Sequence, residues 1–90
     1  MKILKAILAI TDMQTIYAHG EPKFLSVQEQ HGEVCVWYEC NPANMMRPYR
    51  ISIYGTGHEM PANPGKYLGT VQTLQGAAVW HVYATDYLEA

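Results

Sequence analysis

The amino-acid sequence predicts a mainly β protein, a small antiparallel sandwich or partly open barrel of hairpins with six to seven strands. Two observations predict it: apolar residues mostly alternate with polar ones at period two, and turn signals recur at short intervals. A third bounds it, because 90 residues form one domain over 1–90; a split would leave pieces too small to bury a useful core.

Lys2–Ile10 opens the chain as a strand. The start superficially suggests a signal peptide, but the uncharged apolar run is only Ala6 to Ile10. Thr11-Asp12 then follows without a small-x-small cleavage site. Gln14–Tyr17 is the next strand; Asp12 could cap a short helix over Asp12–Tyr17, whereas Thr15, Ile16 and Tyr17 favour extended structure. Phe24–Gln30 and Glu33–Cys40 form a hairpin about His31-Gly32, with Gly32 supplying a positive φ. Gln30 then faces Glu33, Val27 faces Val36, and Leu25 faces Tyr38. One face holds Leu25, Val27, Val34, Val36 and Tyr38 as core, and the other holds Ser26, Gln28, Cys35 and Trp37.

Tyr49–Tyr54 alternates well, burying Tyr49, Ile51 and Ile53 and leaving Arg50, Ser52 and Tyr54 outside. Lys66–Leu74 and Ala77–Tyr83 form a second hairpin about Gln75-Gly76. Its inner face carries Gly69, Val71, Ala78, Trp80 and Val82, with Gly69 making room for a large neighbour. Its reverse face carries Leu68, Thr70, Gln72, Val79, His81 and Tyr83, with Thr70 directly opposite His81. That mixture of apolar and polar groups suits a ligand surface or an oligomer interface. His19–Pro22, Asn41–Asn44 and Gly55–Gly65 are loops.

Composition narrows the function. Six basic and eight acidic residues are spread without blocks, and the densest basic cluster is Arg47 with Arg50, which argues against nucleic-acid binding. No segment approaches the roughly 20 apolar residues of a membrane-spanning helix. Cys35 and Cys40 share a strand at odd offset, so they point to opposite faces about 16 Å apart at roughly 3.3 Å per residue. A disulfide needs Cα atoms within about 7 Å. Free thiols fit a reducing, cytoplasmic compartment.

Little points to catalysis. Cys35 has no base evident nearby, and no paired carboxylates stand at suggestive positions. His19, His31, His58 and His81 form no zinc-ligand pattern. The expectation is a non-enzyme without metal or cofactor. The most distinctive segment is Gly55-Thr56-Gly57-His58, whose glycines could let backbone N–H groups converge on an anion; an ordinary turn is the competing reading. It is no Walker loop, since Met60 replaces the first glycine and Tyr67 stands where Ser or Thr is needed. Trp37, Tyr54, Tyr67, Trp80 and Tyr83 could line a stacking wall, with Trp80 better placed in the core. Trp37 points outward beside polar groups, which suits an interface or a ligand. Arg50 and Tyr54 share an outward face and would favour an anionic ligand by charge and stacking.

The order of segments resembles a family of small proteins from bacteriophages and prophage-bearing bacteria. The residues that carry this are Met1-Lys-Ile3, Ile10-Thr-Asp-Met-Gln-Thr-Ile16, Leu25-Ser-Val-Gln-Glu-Gln-His-Gly32, Tyr54-Gly-Thr-Gly-His58, Tyr67-Leu-Gly-Thr-Val-Gln72 and Val79-Trp-His-Val82. The resemblance implies a phage-type accessory protein in the host cytoplasm and supplies no catalytic residue. In that setting the expected function is to bind and sequester a small anionic, nucleotide-like ligand, such as a host immune signal. Arg50, Tyr54, Gly55, Thr56, Gly57, His58, Tyr67, Thr70, His81 and Trp37 are the candidate binding residues. The alternative is an inhibitor or adaptor that masks a host or phage protein through an exposed aromatic face, with a minor virion component as a third reading. Glu33–Cys40 and Ala77–Tyr83 are apolar on both faces for much of their length, so at least a dimer is expected.

Overall fold

The computed structural model describes residues 1–85. Seven strands run β1 (Lys2–Leu8), β2 (Gln14–His19), β3 (Lys23–Gln30), β4 (Glu33–Cys40), β5 (Met46–Gly55), β6 (Lys66–Thr73) and β7 (Ala78–Ala84). They form two antiparallel sheets, ordered β1-β4-β3 and β2-β5-β7-β6. The sheets are stacked as a sandwich, not closed into a barrel. Among the described residues no helix is long and apolar enough to cross a membrane.

Both tight turns fall where their glycines place them. His31 and Gly32 have φ of 53° and 82°, and Gln75 and Gly76 have φ of 57° and 89°. Two consecutive positive φ values give the primed turn whose twist matches the flanking strands. The pairs Gln30–Glu33, Val27–Val36, Val71–Trp80, Gly69–Val82 and Thr70–His81 follow. In the second turn the Ala77 N–H donates to the Leu74 carbonyl at 3.1 Å, and Leu74 itself is left-handed at φ 52°. This ends β6 at Thr73, one residue earlier than alternation predicts.

The core lies between the sheets. Val27, Val34, Val36 and Leu8 from one layer meet Ile51, Ile53, Val71, Val82 and Ala84 from the other. A second cluster of Ala18, Tyr38, Cys40 and Tyr49 fills the end near the β2–β3 loop. At roughly 1.5–3 kcal/mol for each fully buried large aliphatic side chain, residues such as Ile51 and Val82 supply the main driving force. Gly69 makes room for Val27, whose Cβ lies 3.5 Å from where a side chain at 69 would begin.

Two bulges correct the expected faces. In β3 the register shifts between Phe24 and Ser26, so Phe24 and not Leu25 stands opposite Tyr38. Phe24 packs edge-on to Tyr49 at 6.4 Å and tilted to Tyr38 at 6.2 Å, while Leu25 is 43% exposed. In β6 the shift between Tyr67 and Gly69 sends Leu68 into the core and Tyr67 outward, opposite Tyr83. An extra residue inverts the facing of everything beyond it, which period-two reasoning cannot anticipate.

Other differences are local. Gln14–His19 is a strand, as Thr15, Ile16 and Tyr17 favour, and runs two residues past Tyr17. β5 begins at Met46, three residues early, with Pro48 paired to Tyr17 of the edge strand β2. Cys35 and Ser52 face outward yet are buried, because each sits on an interior strand between neighbouring side chains. Cys35 and Cys40 are both free thiols. Trp80 is only half-buried at the edge of the core, its indole N–H donating to Thr73 Oγ1 at 3.0 Å.

Candidate ligand-binding face

The outer face of the four-stranded sheet concentrates aromatic and hydroxyl groups. Alternation along β5 turns Arg50, Ser52 and Tyr54 outward, and β7 contributes His81 and Tyr83. β6 contributes Thr70 and, because of its bulge, Tyr67. Register fixes their neighbours: Ser52 faces Tyr83, Tyr54 faces His81, Tyr67 faces Tyr83 and Thr70 faces His81. Three tyrosine rings thereby form a row across three strands. Tyr83 stands in the middle, 6.0 Å from Tyr54 and 5.4 Å from Tyr67, tilted by 60° to each. Such tilted pairs contribute about 0.5–1.5 kcal/mol beyond simple area burial.

Beside this row runs a chain of polar contacts. His81 Nε2 lies 2.8 Å from Thr56 Oγ1, and His81 Nδ1 lies 2.9 Å from Thr70 Oγ1. Thr70 Oγ1 is in turn hydrogen-bonded to the Tyr67 hydroxyl. A neutral imidazole carries one N–H and one lone pair, so one threonine accepts while the other donates. Both hydroxyls can play either role. The network holds the imidazole plane on both sides, and beside it Tyr67 is exposed while Tyr54 and Tyr83 are half-buried.

On the other side of the row is Arg50, exposed on β5. Because Ile51 pairs with Ala84, Arg50 is a diagonal neighbour of Tyr83 at the roughly 7–8 Å expected for such positions. Its backbone carbonyl accepts the Thr85 N–H at 2.9 Å, which ties the end of β7 to this position.

Gly55–His58 forms an ordinary turn, the reading set against the phosphate cradle. The His58 N–H donates to the Gly55 carbonyl at 3.0 Å and the Thr56 N–H donates to the Val79 carbonyl at 3.2 Å, so these two amides close a turn instead of converging on a ligand. Gly57, at φ 87°, serves that turn. His58 folds back over Gly55. A Cβ at position 55 would lie 2.8 Å from the His58 ring and 3.2 Å from Trp80. The loop is divided: Thr56 joins the outer face, while His58 belongs to the inner side beside Trp80. A shallow depression there is lined by Gly55, Thr56, His58, Ala78, Val79 and Trp80, so Thr56 borders it as well as the outer face.

Trp37 also stands apart. It lies on β4 between Lys5 and Ser26, on the outer face of the three-stranded sheet and so on the far side of the molecule. Of the ten candidates, Arg50, Tyr54, Thr56, Tyr67, Thr70 and His81 share one surface; Gly55, Gly57, His58 and Trp37 do not present to it. Tyr83, the centre of the row, lies on the face and among the stacking aromatics that the sequence singles out, though outside the ten binding candidates. Its place beside Tyr67 depends on the β6 bulge, for which only Gly69 gives a sequence signal. Among the described residues no three His, Cys, Asp or Glu side chains are grouped to hold a metal ion.

A family model described as Domain of unknown function (DUF7352) matches residues 1–89. No curated protein and no solved structure matches the chain.

Proposed function

The chain belongs to the DUF7352 family, whose description assigns no activity, and from its own surface we propose a non-enzymatic protein that binds and sequesters a small, flat, anionic ligand of nucleotide type. The observation that carries this reading is the row Tyr54–Tyr83–Tyr67 with Arg50 on one flank and the Thr56–His81–Thr70 chain on the other. A heterocycle stacks on tyrosine at about 1–3 kcal/mol per base. A guanidinium beside it pairs with phosphate oxygens in bidentate fashion. Hydroxyl and imidazole groups on the opposite flank match the polar edge of a base. The resemblance to small bacteriophage proteins supports a setting in the host cytoplasm, where removing a signal molecule needs binding alone.

Calorimetric titration with a panel of mono-, di- and cyclic nucleotides tests the reading. Binding is expected for at least one of them, weakened about tenfold by Arg50→Ala and unchanged by Trp37→Ala or His58→Ala. Equal affinity in the Arg50→Ala variant would remove the anionic part of the assignment. Absence of binding to the whole panel, with capture of a host protein lost in Tyr83→Ala, would favour an adaptor using the same tyrosines as protein contacts.

A further inference from the structure

The core between the sheets is not closed at the end where both tight turns lie. Between the His31-Gly32 turn of one sheet and the Leu74–Gly76 turn of the other, a cavity of about 460 Å³ opens to solvent. Leu8 and Val34, both core residues, form its floor. The half-buried Trp80 forms a wall, and the exposed Ile10 and Leu74 form the rim. A concave site of this size, mostly apolar with a few fixed polar groups, is of the kind that holds small molecules.

Two carboxylates complete the lining, Glu29 at the end of β3 and Glu33 at the start of β4, and no lining residue is Lys, Arg or His. Glu29 is fixed in place, because its Oε1 accepts the Gly32 N–H at 2.7 Å. That contact leaves the carboxylate its charge and its second oxygen. Trp80 is fixed as well, its indole N–H donating to Thr73 Oγ1 at 3.0 Å. The Lys5 ammonium stays outside the lining, where it donates to Gln30 Oε1 at 2.9 Å. Leu74 stands at the rim with φ 52°, a left-handed conformation that a leucine adopts at a cost, and is 78% exposed. An occupant that covers Leu74 removes that apolar surface from water.

We propose that this cavity is a second ligand site, one for a small aliphatic ammonium. The alkyl chain enters between the sheets against Leu8, Val34, Ile10 and Leu74, and the cationic head rests by the two carboxylates and the indole. Trp is the side chain whose ring face attracts a cation best. A carboxylate on the ligand would be repelled, and a neutral head would gain from the apolar lining alone. The site shares no residue with the tyrosine row and prefers the opposite charge, so it stands independently of the nucleotide reading.

Trp80 itself reports on occupancy. The chain's other tryptophan, Trp37, lies on the outer face of the three-stranded sheet, so Trp37→Phe leaves a single indole. Fluorescence titration of that variant with hexylammonium, hexanol and hexanoate separates charge from apolar burial, circular dichroism checking the fold. Hexylammonium is expected to shift the Trp80 emission with an affinity about tenfold or more above that of hexanol, the order expected of one charge-assisted contact. Hexanoate should give no response. Glu29→Gln with Glu33→Gln keeps an oxygen for the Gly32 N–H and should bring hexylammonium down to the level of hexanol. Leu74→Gly should weaken both ligands without lowering the thermal midpoint, since glycine accepts the left-handed backbone. Silence of Trp80 toward hexylammonium, equal affinity for hexanol, or a hexylammonium response unchanged in the paired glutamine variant would each overturn the site.

Discussion

Tyr83 stands directly opposite Tyr67 across β6 and β7, their rings 5.4 Å apart, although strict alternation assigns Tyr67 to the buried face. The single extra residue, Leu68, produces both effects. It turns inward to pack on the core and frees Tyr67 to complete the aromatic row.

The two bulges predict opposite outcomes for two leucines that look alike in sequence. Leu68→Ala should cost about 1–3 kcal/mol, because a side chain packed on the core leaves a partial cavity. Leu25→Ala, at a bulge that leaves the side chain 43% exposed, should cost less than about 1 kcal/mol. Urea denaturation of both variants reads the difference; equal costs would contradict the assigned register.

Much of the fold was legible because the informative residues are local. His31-Gly32 and Gln75-Gly76 fix two hairpins, and Tyr49, Ile51 and Ile53 announce a buried strand by alternation alone. The site was legible only in part. Thr70 opposite His81 follows from the turn, and Arg50 with Tyr54 follows from the strand. The joining of Tyr67 to Tyr83 depends on a bulge, and the folding of His58 over Gly55 depends on a loop closing on its own carbonyl. Both are decided by tertiary packing, which a periodic pattern does not encode.

Gly65 is a position where any side chain is strained. Its φ is +104°, and a Cβ there would approach the Ala84 carbonyl oxygen to 2.5 Å. Gly65→Ala should destabilise the fold by about 1–3 kcal/mol, with a lower thermal midpoint in calorimetry. An unchanged midpoint would show that the loop can move away from β7.

The polar chain beside the tyrosines is expected to order side chains more than to hold the fold together. Thr70→Val keeps a β-branched residue in β6 but removes the contacts to His81 and Tyr67. Stability should fall by only about 0.5–1.5 kcal/mol, while the His81 and Tyr67 ring resonances shift and broaden in NMR spectra. Unaltered ring resonances would mean that the network does not persist in solution.

Tyr38 gives the fold an alkaline limit. Its phenol is pushed above the usual value of 10.0, first by burial and then by repulsion from the Cys40 thiolate. A group whose folded pKa is raised contributes stability that is complete below the unfolded value and is lost as pH rises through the folded one. Stability should therefore decline above about pH 10, and Tyr38→Phe should flatten that decline. An identical alkaline slope in Tyr38→Phe would assign the loss to other groups.

The central claim is that the outer face of the four-stranded sheet is where the ligand rests. Backbone amide shifts recorded while the best-binding nucleotide is added test it most directly. The account predicts that the largest changes cluster at Arg50, Tyr54, Tyr67, His81 and Tyr83, with Trp37 and its neighbours on β4 unmoved. Changes centred on Trp37, or on the His58 side of the loop with Tyr83 silent, would contradict it.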